Sequence, residues 1–121
     1  MLVPNSPKKA AREDAHSALM LVFMGLLSSD EARKRVQELP GWTLLDKQIQ
    51  RKFTFGDFAE AVSFVVRVGF VAEAADHHPD ILINYKRVTL TFSTHSEGGL
   101  TEKDFAGAAA TTKIALALGA S

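Results

Sequence analysis

From Ser28 onward the apolar positions follow two alternating rhythms. Ala32, Val36 and Leu39 recur at helical spacing with Arg33, Lys34 and Arg35 turned to water, and Ser28 followed by Glu31 gives the capping-box signature of a helix start. Pro40-Gly41 closes that helix. Residues 42–45 and 49–55 then read as a β-hairpin turned at Asp46-Lys47-Gln48, with Ile49, Arg51, Phe53 and Phe55 on one strand face. Thr54 or Asp57 can cap the next segment, where Phe58, Val62, Val65, Val66 and Gly69 predict a long, largely buried helix to about Ala75. Pro79 pushes His78 out of the α region, so His77 and His78 fall on a helix-to-strand connection. Ile81, Ile83 and Tyr85 alternate, and after a turn across 84–87 so do Val88, Leu90 and Phe92, with Thr89, Thr91, Ser93 and His95 opposite. His95 is thereby expected at a strand end on its polar side. Gly98-Gly99 breaks the chain, and Thr101 with Asp104 at the third helical position starts an alanine-rich last helix through Phe105, Ala109, Thr112 and Leu116.

The predicted order is α-β-β-α-β-β-α without a parallel crossover. It defines an α+β fold, one four-stranded antiparallel sheet with helices packed on a single face. The 121 residues fit one core-forming domain, here 27–121. Residues 1–26 read as an extension or extra helix of unclear role. Lys8, Lys9 and Arg12 precede the apolar run 18–27, but Glu13, Asp14 and His16 intervene and no small-x-small pattern follows Leu27. The run is too short to span a bilayer. A cleaved targeting segment stays open as an alternative, as do Met20 and Met24 as starts.

Composition narrows the chemistry. Lys+Arg and Asp+Glu balance at 14 each, which leaves no field for a phosphate backbone and argues against nucleic acid as a direct ligand. The absence of Cys removes thiolate nucleophiles, disulfides and iron–sulfur ligation and is compatible with a reducing compartment. Any catalysis falls to His, carboxylates, Lys or hydroxyls.

His77, His78 and His95 stand close in sequence to Glu73, Asp76, Asp80 and Asp104. Three readings stay open on the residues alone. The histidines can be structural, and His16 in the N-terminal segment is expected to have no role. They can hold a metal, since three imidazoles and a carboxylate are zinc-type ligands, although adjacent histidines rarely converge on one ion and no His-x-x-x-His or Glu-x-x-His pair occurs. Or they can move protons: imidazole titrates near pH 6.5, so one ring donates while another accepts, which suits elimination of water. One positioned proton donor contributes roughly 10²- to 10⁴-fold in rate. Asp104 and Glu73 can hold an imidazolium or serve as helix-terminal charges. Ser93 and Ser96 lack a nucleophile elbow, and Gly98-Gly99 lacks the Gly-rich phosphate fingerprint and its Lys.

Glu73-Ala-Ala-Asp-His77-His78-Pro79, Tyr85, Ser93-Thr94-His95 and Asp104 stand at the spacing of the pterin-4a-carbinolamine dehydratases (4a-hydroxytetrahydrobiopterin dehydratases), which the chain resembles from about Leu27 to Ala117. Leu39-Pro40-Gly41-Trp42, Phe53-Thr54-Phe55 and Gly99-Leu100-Thr101 support the likeness, and residues 1–26 find no counterpart in it. The resemblance implies a cytoplasmic hydro-lyase without metal or organic cofactor. Its substrate would be the 4a-carbinolamine of tetrahydropterin released by aromatic amino-acid hydroxylases, and its product the quinonoid dihydropterin, in tetrahydrobiopterin regeneration. It implies His77, His78 and His95 as the catalytic set, with His77 and His95 the acid/base pair and His78 and Pro79 shaping the pterin pocket. Thr94 and Ser96 would line that pocket through backbone contacts, and Glu73 and Asp104 would orient the histidines. It further implies a homodimer or homotetramer with no membrane association. An alternative from another class is a protein-binding regulator, a dimerisation cofactor of a homeodomain transcription factor.

Overall fold

A computed structural model describes residues 25–121. The expectations for residues 1–24 of the extension, including His16 and the alternative starts Met20 and Met24, fall outside this range. The described elements are α1 (Ser29–Val36), β1 (Thr43–Leu45), β2 (Gln48–Thr54), α2 (Phe58–Ala75), β3 (Asp80–Asn84), β4 (Arg87–Phe92), a short 3-10 turn (His95–Glu97) and α3 (Glu102–Ala117). They follow the predicted order. The strands form one antiparallel sheet in the order β1-β2-β4-β3.

The register explains the core. Opposite pairs Ile49↔Phe92, Arg51↔Leu90 and Phe53↔Val88 put these side chains on one face, and there Ile49, Phe53, Val88, Leu90 and Phe92 are buried against α2 and α3. Phe64 of α2 meets Phe53 edge-on at 5.3 Å and Phe55 at 4.9 Å between ring centres. Full burial of one such ring stabilises the fold by about 1.5–3 kcal/mol. The opposite face carries polar residues, with Gln50 donating to Thr91 Oγ1 at 3.0 Å across the strands.

Four expectations are corrected. First, α2 is not largely buried: its inward stripe is Ala61, Phe64, Val68 and Ala72, while Phe58, Val62, Val66 and Phe70 are 52, 37, 53 and 74% exposed. Both stripes have helical spacing, and the sheet takes the one that combines small residues with a single ring. Second, α1 ends at Val36 rather than at Pro40-Gly41, because turn bonds from Glu38 to Arg35 O and Leu39 to Val36 O take over. Gly41 instead sits at φ 89°, where a Cβ would lie 2.6 Å from the Arg51 guanidinium carbon. That close approach lets Arg51 donate to Pro40 O at 2.7 Å and lie over the Phe53 ring. Third, Arg35 does not simply face water: it forms a two-pronged pair with Glu102, both bonds 2.7 Å, and covers the Phe105 ring. Fourth, Tyr85 and His95 leave their strands. Tyr85, at φ 54°, turns β3 into β4. Thr94 pairs with Gly99 and the chain reverses at Gly98 with φ 76°, which lifts His95 into the 3-10 turn.

Candidate active site

Helix α2 ends on Asp76 in the left-handed conformation, φ 53°, whose N–H bonds back to Ala72 and Glu73 carbonyls. His77 N–H also returns to Ala72 O at 3.1 Å, the wide C-terminal closure that reverses a chain at a helix end. Pro79 then leads into β3. This reversal brings the His77 ring face to face with Phe92, centres 6.0 Å apart and planes 16° apart.

From the other side Asp104 arrives as the third residue of α3. Thr101 caps that helix, accepting from Lys103 N, and Asp104 answers by accepting from Thr101 N at 2.9 Å, so the predicted acidic capping box is present. Asp104 is fully buried, and its other oxygen lies 2.7 Å from His77 Nε2. Thr94, held beside β4 by its pairing with Gly99, donates its hydroxyl to Asp104 Oδ2 at 2.7 Å and stands 2.9 Å from Thr101 Oγ1. Asp104 thus meets the Thr101 cap and the Thr94 hydroxyl through Oδ2 and His77 through Oδ1.

His77, Asp104 and Thr94 thus come together, while the remaining candidates divide. Glu73 pairs with His78, Oε1 to Nε2 2.8 Å, in the open: the side chains are 82 and 55% exposed. His95 is exposed in its turn and carries no side-chain hydrogen bond among the described residues. Ser96 shares a cavity of about 270 Å³ with Thr94, Thr101 and Lys103. Pro79 is half-buried beside His78. The Thr94 N–H and C=O are both engaged with Gly99, and its hydroxyl is turned to Asp104.

A second cavity of about 280 Å³ opens between α2 and α3, with His77 and Lys103 among the residues lining it, Phe92 below, and Ala72, Ala75 and Gly107 on its walls. Lys103 belongs to both cavities. The sequence reading passed over Thr101 as anything beyond a cap, and over Lys103, Phe92 and Gly107. One signal was available: a glycine inside an alanine-rich helix marks a close approach. A Cβ at Gly107 would stand 2.5 Å from Phe92 Cε1. Among the described residues no three of His, Cys, Asp or Glu are grouped as metal ligands would be. A carboxylate-backed imidazole at an apolar cavity can hold and pass a proton to a bound neutral molecule.

The family model described as pterin 4 alpha carbinolamine dehydratase matches residues 25–114, and the chain belongs to this family. A protein of Chloroflexus aurantiacus, provisionally named a pterin-4-alpha-carbinolamine dehydratase, is 50% identical over 91 residues, 75% of this chain and 98% of its own length. One of Sulfolobus acidocaldarius with the same provisional name is 43% identical over 88 residues, 73% of this chain and 97% of its own. Among solved structures, a transcriptional coactivator/pterin dehydratase from Brucella melitensis superposes with TM-score 0.71 at 38% identity, covering 74% of this chain and 97% of that one. A pterin dehydratase-like protein identified as a RuBisCO assembly factor in the alpha-carboxysome shares the fold alone, at 23% identity and TM-score 0.51 over 61% of this chain and 86% of that one.

Proposed function

We propose that the chain is a hydro-lyase that dehydrates 4a-hydroxytetrahydropterin to the quinonoid dihydropterin in the cytoplasm, taking the carbinolamine released by an aromatic amino-acid hydroxylase. The observation that carries this reading is His77, stacked on Phe92 and bonded to buried Asp104, lining an apolar cavity between two helices. The reaction needs only protons to move. A base takes the proton from the ring nitrogen N5, an acid protonates the 4a-hydroxyl, the C4a–O bond breaks to release water, and the C4a=N5 double bond forms. Family membership supports His77 and His95 as that pair, with the exposed His78–Glu73 pair and Pro79 at the rim. No metal or organic cofactor enters the scheme. A positioned acid or base supplies roughly 10²- to 10⁴-fold, enough for a carbinolamine that already tends to lose water.

Purified protein added to a phenylalanine hydroxylase reaction tests it by the absorbance decay of the carbinolamine. Decay accelerates in proportion to protein, and His77→Ala and His95→Ala each lower the rate at least tenfold with unchanged circular dichroism. Unaltered turnover in both variants overturns the reading.

The exposed stripe Phe58, Val62, Val66 and Phe70 supports self-association through α2 into a homodimer or homotetramer, since apolar surface of this extent is normally covered. It also favours a second reading, a protein-binding regulator, in line with the coactivator description of the Brucella protein. A regulator keeps its partner in the two histidine variants, whereas an enzyme alone loses its activity in them.

A further inference from the structure

We infer that Thr94 and Thr101 are positioning residues that act through Asp104 to fix which nitrogen of His77 handles the proton. This rests on the dehydratase reading and adds to it two hydroxyls and one atom assignment.

The direction of every bond in the cluster follows from the chemistry of its members. A carboxylate only accepts, so Thr94 spends its one hydroxyl proton on Asp104 Oδ2 at 2.7 Å. The 2.9 Å contact between Thr94 Oγ1 and Thr101 Oγ1 then requires Thr101 to donate. The Thr101 oxygen in turn receives the Lys103 amide N–H at 3.2 Å. The chain runs one way, from the first turn of α3 through two hydroxyls to the carboxylate. Thr94, Thr101 and Asp104 are 6, 7 and 0% exposed, so water has little access to substitute for a missing partner.

Capping of α3 explains only part of this. It accounts for Thr101 N–H on Asp104 and for the Lys103 amide on Thr101. It does not call for a hydroxyl at position 94, outside the helix, nor for the second carboxylate oxygen 2.7 Å from His77 Nε2. With both Asp104 oxygens pinned, Nε2 keeps its proton whether the ring is neutral or charged. Nδ1 is the nitrogen left over: it has no hydrogen bond among the described residues, on a ring that lines the cavity between α2 and α3. Nδ1 is therefore the atom at which the proton arrives or leaves. The charged neighbours around the ring are Asp104 behind it, Lys103 along the shared cavity, and the His78–Glu73 pair next in the chain.

Thr94→Val removes the hydroxyl at constant shape. It is expected to lower kcat about tenfold while KM stays within about twofold, and Thr94→Ser restores kcat. The second readout is the ¹⁵N shifts of the neutral His77 ring, assigned by their loss in His77→Gln. The wild type carries its proton on Nε2, and Thr94→Val moves part of the population to Nδ1. Thr101→Val shifts both readouts the same way by less, and serves where Thr94→Val fails to fold. A wild-type ring protonated on Nδ1, or valine variants with wild-type tautomer and kcat, overturns the inference. Wild-type protein that leaves the carbinolamine decay unchanged overturns the dehydratase reading instead, and the ring shifts still decide the hydrogen-bond chain.

Discussion

Phe92 shows how narrow the tolerances are around a single side chain. Its ring supports His77 on one side and presses on Gly107 on the other, where a Cβ would lie 2.5 Å away. Gly107→Ala improves intrinsic helix propensity by about 1 kcal/mol, yet the added methyl has to displace the ring. Overpacking of this kind costs about 1–3 kcal/mol, and the displaced ring carries His77 with it. The expected outcome is a lower melting temperature together with a several-fold lower dehydration rate, read by calorimetry and by the carbinolamine assay; a variant more stable and fully active refutes the packing argument. The capping of α3 by Asp104 was legible in the residues because Thr101 and Asp104 stand at capping-box spacing, whereas the same carboxylate's contact with His77 was only one of two open alternatives. The place of His95 was not legible, because the alternation that carried the strand through Phe92 gave no sign that Thr94 would pair with Gly99 and end it.

Among the elements, α1 and α3 are joined by the Arg35–Glu102 pair, which no periodicity reveals because the partners are far apart in sequence. The hydrogen bond from Arg35 holds the Glu102 carboxyl below its ordinary value, and Glu102 raises the Arg35 guanidinium further. A depressed carboxylate contributes stability above its unfolded value of about 4.3, and that stability is lost as pH falls through the lower folded value. The Glu102 side chain is 69% exposed, so screening limits the contribution to under about 1 kcal/mol. Glu102→Gln is accordingly expected to destabilise slightly at neutral pH and to match the wild type once the pH is well below 4, as denaturant melts at the two pH values can measure. The existence and type of the elements were legible from spacing, capping residues and turns. The buried face of α2 was not, since Phe58, Val62, Val66 and Phe70 repeat as regularly as Ala61, Phe64, Val68 and Ala72. The choice between them is made by the sheet, which lies elsewhere in the sequence.

For the molecule as a whole, that outward stripe is the surface on which the proposed self-association rests. Phe70, 74% exposed, makes little contribution to the protomer core, so Phe70→Asp is expected to keep the fold while reducing the sedimentation mass toward that of a single chain. A wild-type protein that already sediments as one chain refutes association through α2. Among the described residues no helix is long and apolar enough to cross a membrane. The element order was readable from local signals, but the strand order β1-β2-β4-β3 was not, because it depends on β2 meeting β4 across the length of α2. The chain's one tryptophan lies on that junction. Trp42 is buried, donates to Thr112 Oγ1 at 2.8 Å, and touches both Phe53 and Phe92. The protein therefore carries its own optical gauge: a single indole emission, uncomplicated by a second fluorophore of its kind, reports the joining of sheet to last helix at the ring on which His77 rests.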